Sequence, residues 1–196
     1  MKSSPTREAL LEAACMLFYQ NGIRGTSVDA ILERAGAARQ SLYLHFSSKD
    51  GLVAEFLKAR DQSWRHRLQQ YIAKDSSEPY GQILAVFDFL AEWFREPDFC
   101  GCAFINTSIE YADPGHPFHQ LGARHKELVQ QEILDLCRQA GLVQPKQLAA
   151  QLALLMEGAI VTEQVSRSGT AAMQAKQIAE VLLNHTSHNK ENTCKH

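Results

Sequence analysis

The sequence has no surplus of either charge, no CxxC pair and no apolar run long enough to cross a bilayer. A net charge of -2 over 196 residues excludes a nucleic-acid binder coated in positive charge, but not one whose basic residues lie on one small face. Five cysteines, an odd number, favour free thiols in a reducing compartment. Since the first residues have no secretory pattern and no stretch of about 20 apolar residues occurs, we expect a soluble, cytoplasmic protein that does not enter a membrane.

The sequence also lacks alternating runs of strand length, whereas helical periodicity extends through nearly all of it. Apolar residues make up 45% of the chain, which is enough to bury a core without disulfides or metal ions. Nine helices are predicted, near 5–20, 28–35, 38–46, 48–73, 80–95, 102–112, 117–140, 146–166 and 171–185. The pattern therefore predicts an all-α fold.

The second and third of these helices are predicted to form a helix-turn-helix. Thr26 and Ser27 provide an N-cap for the first helix of the pair, and Gly36 permits the positive φ of a tight turn. Ser47 and Asp50 resemble a capping box that opens the fourth helix. In such a motif one helix crosses the DNA backbone and the next is presented to the major groove.

Polar side chains of this segment have the chemistry that DNA contacts need. Arg39 can fork onto guanine, Gln40 can pair with the edge of adenine, and Tyr43 is expected beside them. Hydroxyl and imidazole groups, together with the Lys49 ammonium at a helix N-terminus, suit phosphate oxygens. The predicted DNA-binding residues are Thr26, Ser27, Arg39, Gln40, Ser41, Tyr43, His45 and Lys49.

The same segment resembles the DNA-binding domain of the TetR/AcrR family of bacterial transcriptional repressors. The resemblance covers about the first 55 residues in the family's order and spacing. Ala37-Ala38, Gln40 and Leu44 depart from the commoner pattern, which leaves the operator sequence open. The matching residues are Ala13-Ala14, Leu17-Phe18, Gly22, Gly25-Thr26-Ser27-Val28, Ile31, Ala35-Gly36, Ser41-Leu42-Tyr43, His45-Phe46, Lys49 and Leu52.

The resemblance implies both a domain organisation and a function. A three-helix helix-turn-helix domain over 1–50 is expected to be joined by a long helix to a helical ligand-binding and dimerisation domain over 51–188, before a disordered tail at 189–196. The implied function is that of a repressor which binds a palindromic, double-stranded operator as a homodimer and is released by a small-molecule inducer. The apolar helices near 146–166 and 171–185 predict the dimer interface. No cofactor, metal ion or catalytic residue is expected.

A cavity in the C-terminal domain is expected to hold the inducer. Aromatic side chains with a few polar anchors are the usual lining of a small-molecule site. The segment from Phe99 to Asn106 also resembles a Gly-Cys-x-x-x-Asn segment found in one group of these regulators. The predicted ligand-binding residues are Phe87, Trp93, Cys102, Asn106 and Glu110.

Three alternatives stay open at this point. Cys100 and Cys102 form a thiol-based sensor of oxidants or electrophiles, or they are small side chains buried in a packed turn. A small helical enzyme would use His119, Glu110 or Cys102, but the sequence has no nucleophile elbow and no complete metal signature. A helical adaptor would bind other proteins through an exposed apolar groove and would show no salt-dependent affinity for DNA.

Overall fold

The structure is a computed structural model that describes residues 4–193, with side chains described as far as residue 185. This part of the chain forms nine α-helices and no β-strand, which confirms the all-α prediction. The disordered tail is predicted from 189, but the last helix continues to Thr193, and residues 194–196 lie outside the described part. The helices are α1 (Pro5–Asn21), α2 (Val28–Ala35), α3 (Arg39–Phe46), α4 (Lys49–Asp75), α5 (Pro79–Phe94), α6 (Ala103–Glu110), α7 (Pro117–Gln139), α8 (Pro145–Ser166) and α9 (Ala171–Thr193).

The ends of α2 follow from two residues with distinctive backbone preferences. The Ser27 Oγ accepts a hydrogen bond from the Ala30 amide at 3.1 Å, so Ser27 caps α2 as the sequence predicts. Gly36 ends the helix in the left-handed conformation, with φ of 60°. Because a side chain on that conformation meets the following carbonyl, a glycine suits this position.

The cap of α4 is Ser48, one residue later than the predicted Ser47. Ser47 has φ of 65° and belongs to the turn that ends α3. The Oγ of Ser48 accepts a hydrogen bond from the Gly51 amide at 3.0 Å. The expected capping box of Ser47 and Asp50 is therefore wrong, because the turn after α3 uses Ser47 and leaves the cap to its neighbour.

Contacts within the chain divide it into two compact units. The first is Met1–Trp64 with Cys102–His125, and the second is Arg65–Gly101 with Lys126–His196. Helices α4 and α7 contribute residues to both units. The first unit includes α6 together with the helix-turn-helix, whereas the predicted domains divide at residue 50.

The core of the first unit holds α1, α2 and α3 against one another. Leu42 and Phe46 are buried on the inner face of α3, and Ile31 is buried on α2. The rings of Phe18 and Phe56, from α1 and α4, have their centroids 5.5 Å apart. This packing turns one face of α3 inward and leaves the other face to solvent.

In the second unit, α5, α8 and α9 pack against one another. Among the described helices, α8 alone is long and apolar enough to cross a membrane by length and composition, a test that core helices of soluble proteins also pass. The buried carboxylate of Glu163 accepts hydrogen bonds from the Gly169 amide at 2.8 Å and the Ser168 hydroxyl at 3.3 Å. Glu163 therefore organises the turn between α8 and α9.

The turn at Gly36 leads to a stability prediction. Gly36→Ala should destabilise the fold by about 1 kcal/mol, because alanine pays the left-handed penalty although no atom lies within 4 Å of its new Cβ. Gly36→Asn should cost less, since asparagine tolerates this conformation. Urea unfolding measures both free energies. Equal losses in the two variants, or no loss in either, would contradict this account of the turn.

Candidate nucleic-acid interface

The exposed face of α3 is the centre of the candidate interface. Successive residues of an α-helix are rotated by about 100°, so the burial of Leu42 and Phe46 places Gln40, Tyr43 and Leu44 outward. All three outward side chains are exposed. The helix therefore presents an amide, a phenol and an aliphatic side chain to solvent on one continuous face.

Arg39, a predicted base reader, lies at the start of α3 and forms an ion pair with Asp29 of α2. Hydrogen bonding to Tyr43, and after it the charge of Asp29, raises the pKa of Arg39, so the guanidinium stays charged. Both partners of the ion pair are largely exposed. In water an exposed pair of this kind is weak, and the guanidinium can exchange Asp29 for an acceptor on DNA.

The structure gives different roles to two of the predicted phosphate ligands. Thr26 is only 2% exposed, and its Oγ1 donates to the Gly22 carbonyl oxygen at 2.7 Å. Its hydroxyl therefore faces the protein, which does not support a phosphate contact by this side chain. The Lys49 Nζ donates to the Ile23 carbonyl oxygen at 2.7 Å, so its charge is held at the loop between α1 and α2.

The remaining predicted DNA-binding residues lie on α3 and at the start of α2. Ser41 and His45 are half-buried on its flank. Ser27 is exposed, but its hydroxyl accepts the capping hydrogen bond at the start of α2. The phosphate contacts of these residues stay predictions.

The carboxylate of Glu110 lies on the loop between α1 and α2. Its Oε1 accepts from the Ile23 amide at 2.9 Å, and its Oε2 accepts from the Arg24 amide at 2.6 Å. A side chain on Gly22 would put a Cβ 2.9 Å from Oε1, so glycine allows the close approach. The guanidinium of Arg24 lies 5.0 Å from the centre of the Tyr111 ring. Glu110, a predicted ligand anchor, therefore ties the end of α6 to the loop that leads into α2.

The other predicted ligand-binding residues fall in both units. Cys102 is buried in the first unit, where it precedes α6, and Asn106 is half-buried within that helix. Phe87 and Trp93 are buried in the second unit on α5. The predicted five-residue set is thus divided between the two units, and its role in binding a ligand stays a prediction.

A groove beside Trp93 lies within the second unit and has a volume of about 580 Å³. A hydrogen bond of 3.2 Å joins the Tyr71 hydroxyl to the Glu92 carboxylate, and an ion pair joins Arg67 to Glu96. Burial, and after it the charge of Glu92, raises the pKa of Tyr71 to about 12, so this hydroxyl stays protonated and donates. The groove is lined by Arg67, Gln70, Tyr71, Lys74, Phe89, Glu92, Trp93, Arg95 and Glu96.

His125 of α7 is buried in the core of the first unit, beside a carboxylate. The Nδ1 of His125 lies 2.7 Å from the Asp61 Oδ1, and its ring stacks on Phe104 with centroids 3.9 Å apart. His119 instead has its Nδ1 3.0 Å from the Tyr111 carbonyl oxygen. Within the described residues, no group of three or more His, Cys, Asp and Glu side chains is placed to hold a metal ion.

Sequence reasoning omitted two residues that the structure adds to this surface. Leu44 is 77% exposed at the middle of the outward face of α3, and Asp29 holds Arg39. The four-residue spacing of Gln40 and Leu44 could have indicated a shared face. The ion pair between Asp29 of α2 and Arg39 of α3 depends on how the two helices pack, and no spacing in the sequence indicates it.

Comparisons with known proteins agree with this geometry. The family model for bacterial regulatory proteins of the tetR family matches residues 10–56. The HTH-type transcriptional regulator YjdC of Escherichia coli is 27% identical over 180 residues, covering 90% of this chain and 93% of its own. The transcriptional repressor ComR of the same species is 27% identical over 192 residues, covering 90% of this chain and 87% of its own.

A solved structure extends the similarity over nearly the whole chain. The crystal structure of a TetR-family transcriptional regulator from Streptomyces coelicolor is 30% identical, covers 94% of this chain and 91% of that one, and has a TM-score of 0.88. These relatives are named as regulators of transcription rather than as enzymes. With its helix-turn-helix and its polar recognition face, the chain belongs to the TetR family of DNA-binding transcriptional regulators.

Proposed function

We propose that this regulator is a cytoplasmic repressor that binds a palindromic operator as a homodimer and leaves it when a small molecule binds. The observation that carries the proposal is the outward face of α3, where Arg39, Gln40 and Tyr43 are exposed above the buried Leu42 and Phe46. A recognition helix of this kind reads base edges in the major groove. The similarity to a relative named as a repressor supports the sign of regulation.

The proposed roles of the side chains in base and phosphate contacts follow from the chemistry of each one. The guanidinium of Arg39 can donate two hydrogen bonds to guanine, and the amide of Gln40 can pair with the edge of adenine. Ser41 and His45, half-buried on α3, and Ser27, exposed at the start of α2, are the side chains that we propose for phosphate contacts. Phosphate contacts orient the protein, whereas the base contacts select the sequence.

Exposed apolar side chains on α8 and α9 support the homodimer. A soluble monomer rarely exposes a large contiguous apolar patch, and a two-fold axis would bury one such surface against its copy. These exposed residues lie within the regions near 146–166 and 171–185 that the sequence predicts as the interface. The exposed apolar residues are Leu154, Val161, Val165, Met173, Ile178 and Val181.

We assign the small molecule to the groove beside Trp93. Its volume of about 580 Å³ falls in the range of small-molecule sites, and its rim combines the Arg67 and Lys74 cations with aromatic side chains. A ligand changes DNA affinity only through its different affinity for two conformations. The groove is lined in part by α4, which continues into the first unit, so α4 is the element through which we expect a bound ligand to act on the DNA-binding helices.

The assignment of Arg39 to a base edge gives the first test of this function. Operator duplexes are selected from random DNA, and Kd is measured for selected and random duplexes over a range of salt concentrations. Arg39→Ala should lower affinity for the selected duplex roughly tenfold and leave random DNA within twofold, because a base contact carries sequence information. Sedimentation of the complex should give two chains per palindrome.

The matched control is Arg138→Ala, which removes an equally exposed arginine of α7 in the second unit. It should change neither affinity. Equal losses of Arg39→Ala on selected and random DNA would contradict the base contact. Failure of the wild-type protein to bind any duplex at low salt would contradict the proposed function.

Glu110 gives a second test, by hydrogen exchange at the loop between α1 and α2. In Glu110→Ala the Ile23 and Arg24 amides should exchange about tenfold faster, because both lose a charge-assisted acceptor. Operator affinity should fall as well, since the loop then holds α2 less firmly. The measurement is amide exchange by NMR together with Kd for the selected duplex.

The control is Glu12→Ala, which removes an exposed carboxylate from α1 and should leave both amides protected. Unchanged exchange at Ile23 and Arg24 in Glu110→Ala would show that the carboxylate does not hold the loop in solution.

The alternative of a thiol sensor has one observation in its favour. Cys100 and Cys15 are half-buried, whereas Cys102 and Cys137 are buried. Burial raises the pKa of the Cys15 and Cys137 thiols to about 11, which leaves each with very little thiolate near neutral pH. Within the described residues, Cys100 is therefore the best candidate for reaction.

Alkylation of the native protein at pH 7.5 tests this ranking. Cys100 should react while Cys15 and Cys137 stay unmodified. When the pH is raised above 7.5, the alkylation rates of Cys15 and Cys137 should increase about tenfold per pH unit, because only the thiolate attacks. Mass spectrometry identifies the sites, and unfolded protein provides the control in which all cysteines react. Rapid modification of Cys137 in the native protein would contradict the role of burial. Unchanged release of DNA by oxidants in Cys100→Ser would reject the sensor.

A further inference from the structure

Leu44 is an apolar side chain that points directly away from the core of the first unit. It is 77% exposed, while Leu42 and Phe46 of the same helix are buried. At about 100° per residue, those two buried side chains lie about 160° from Leu44 on either side. Leu44 is therefore the side chain of α3 that would project furthest into a groove of DNA.

The surroundings of Leu44 argue against a protein partner at this position. Its neighbours one turn earlier on the helix surface are Gln40 and Ser41, and α3 is followed by Ser47 and Ser48, so these flanking residues are all polar. Binding sites for proteins bury a contiguous apolar centre of several side chains. An isolated leucine within a polar face instead fits a target that offers one apolar group among hydrogen-bonding groups.

The major groove offers such a group in the C5-methyl of thymine, beside the hydrogen-bonding edges of the bases. We propose that Leu44 contacts a thymine methyl group in each half-site and so contributes to operator choice. The inference rests on the proposed binding of operator DNA by α3. It adds a specificity-determining side chain that cannot form a hydrogen bond.

Gln40 makes the proposal more specific. Side chains four residues apart on a helix lie about 5–6 Å from each other, while neighbouring bases along a strand lie about 3.4 Å apart. Gln40 and Leu44 can therefore reach the same base pair or adjacent ones. Because glutamine pairs with adenine, the thymine methyl should lie within or beside an A·T pair that Gln40 reads.

The test removes the methyl group alone. The selected operator is synthesised with deoxyuridine in place of each thymidine in turn, in both half-sites, and Kd is measured with the full-length wild-type protein. One position should lower affinity about three- to fivefold per half-site, the effect expected for one buried carbon. Substitutions at thymidines outside the half-sites should have no effect.

Variants of Leu44 then assign the effect to this side chain. Leu44→Ala should weaken binding to the thymidine operator and should abolish the difference between thymidine and deoxyuridine at that position, as a double-mutant cycle requires. Leu44→Met should retain most of the difference, because it keeps an apolar side chain of similar size. The control is Ile109→Ala, which removes an exposed apolar side chain from α6 and should leave the difference unchanged.

Alanine favours a helix at least as strongly as leucine, so the exposed Leu44→Ala substitution leaves the fold intact. The inference is overturned if no deoxyuridine substitution weakens wild-type binding, or if the weakening persists unchanged in Leu44→Ala. If the wild-type protein binds no selected duplex, the proposed function fails first and the inference fails with it.

Discussion

The burial of Leu42 and Phe46 determines how α3 is presented, and the rest of the candidate interface depends on it. Once these side chains are packed with α1 and α2, helix geometry directs Gln40, Tyr43 and Leu44 outward. The same rigid packing keeps the outward side chains in a fixed order along the face. Base recognition needs that order, because a hydrogen bond to a base edge tolerates little displacement.

Polar groups stabilise the loop before α2 from several directions. The Thr26 hydroxyl donates to the Gly22 carbonyl oxygen, the Lys49 ammonium donates to Ile23, and the Glu110 carboxylate accepts two amides. These interactions satisfy backbone groups that no regular helix would satisfy. The residue types that suit phosphate or ligand binding therefore serve the fold at this loop. Glu110 also makes the conformation of the loop sensitive to the position of α6.

Charge is distributed sparingly over the recognition surface. The whole chain has a net charge of -2, and Asp29 holds Arg39 close to the exposed face. Phosphate attraction by such a surface is modest, because non-specific affinity depends on the number of phosphates that cations neutralise. A recognition surface of this kind favours selective contacts over strong binding to random DNA.

The sequence alone determined the helices, the turn at Gly36, the cap at Ser27 and the family, because each depends on local periodicity, backbone preference or a motif with regular spacing. It also indicated most of the exposed residues of α3. The tertiary structure decided which polar side chains face the solvent: Thr26 turned inward, Lys49 and Glu110 were placed on one loop, and Asp29 was paired with Arg39. Those outcomes join residues that are distant in sequence or lie on different helices, and only packing in three dimensions sets such distances.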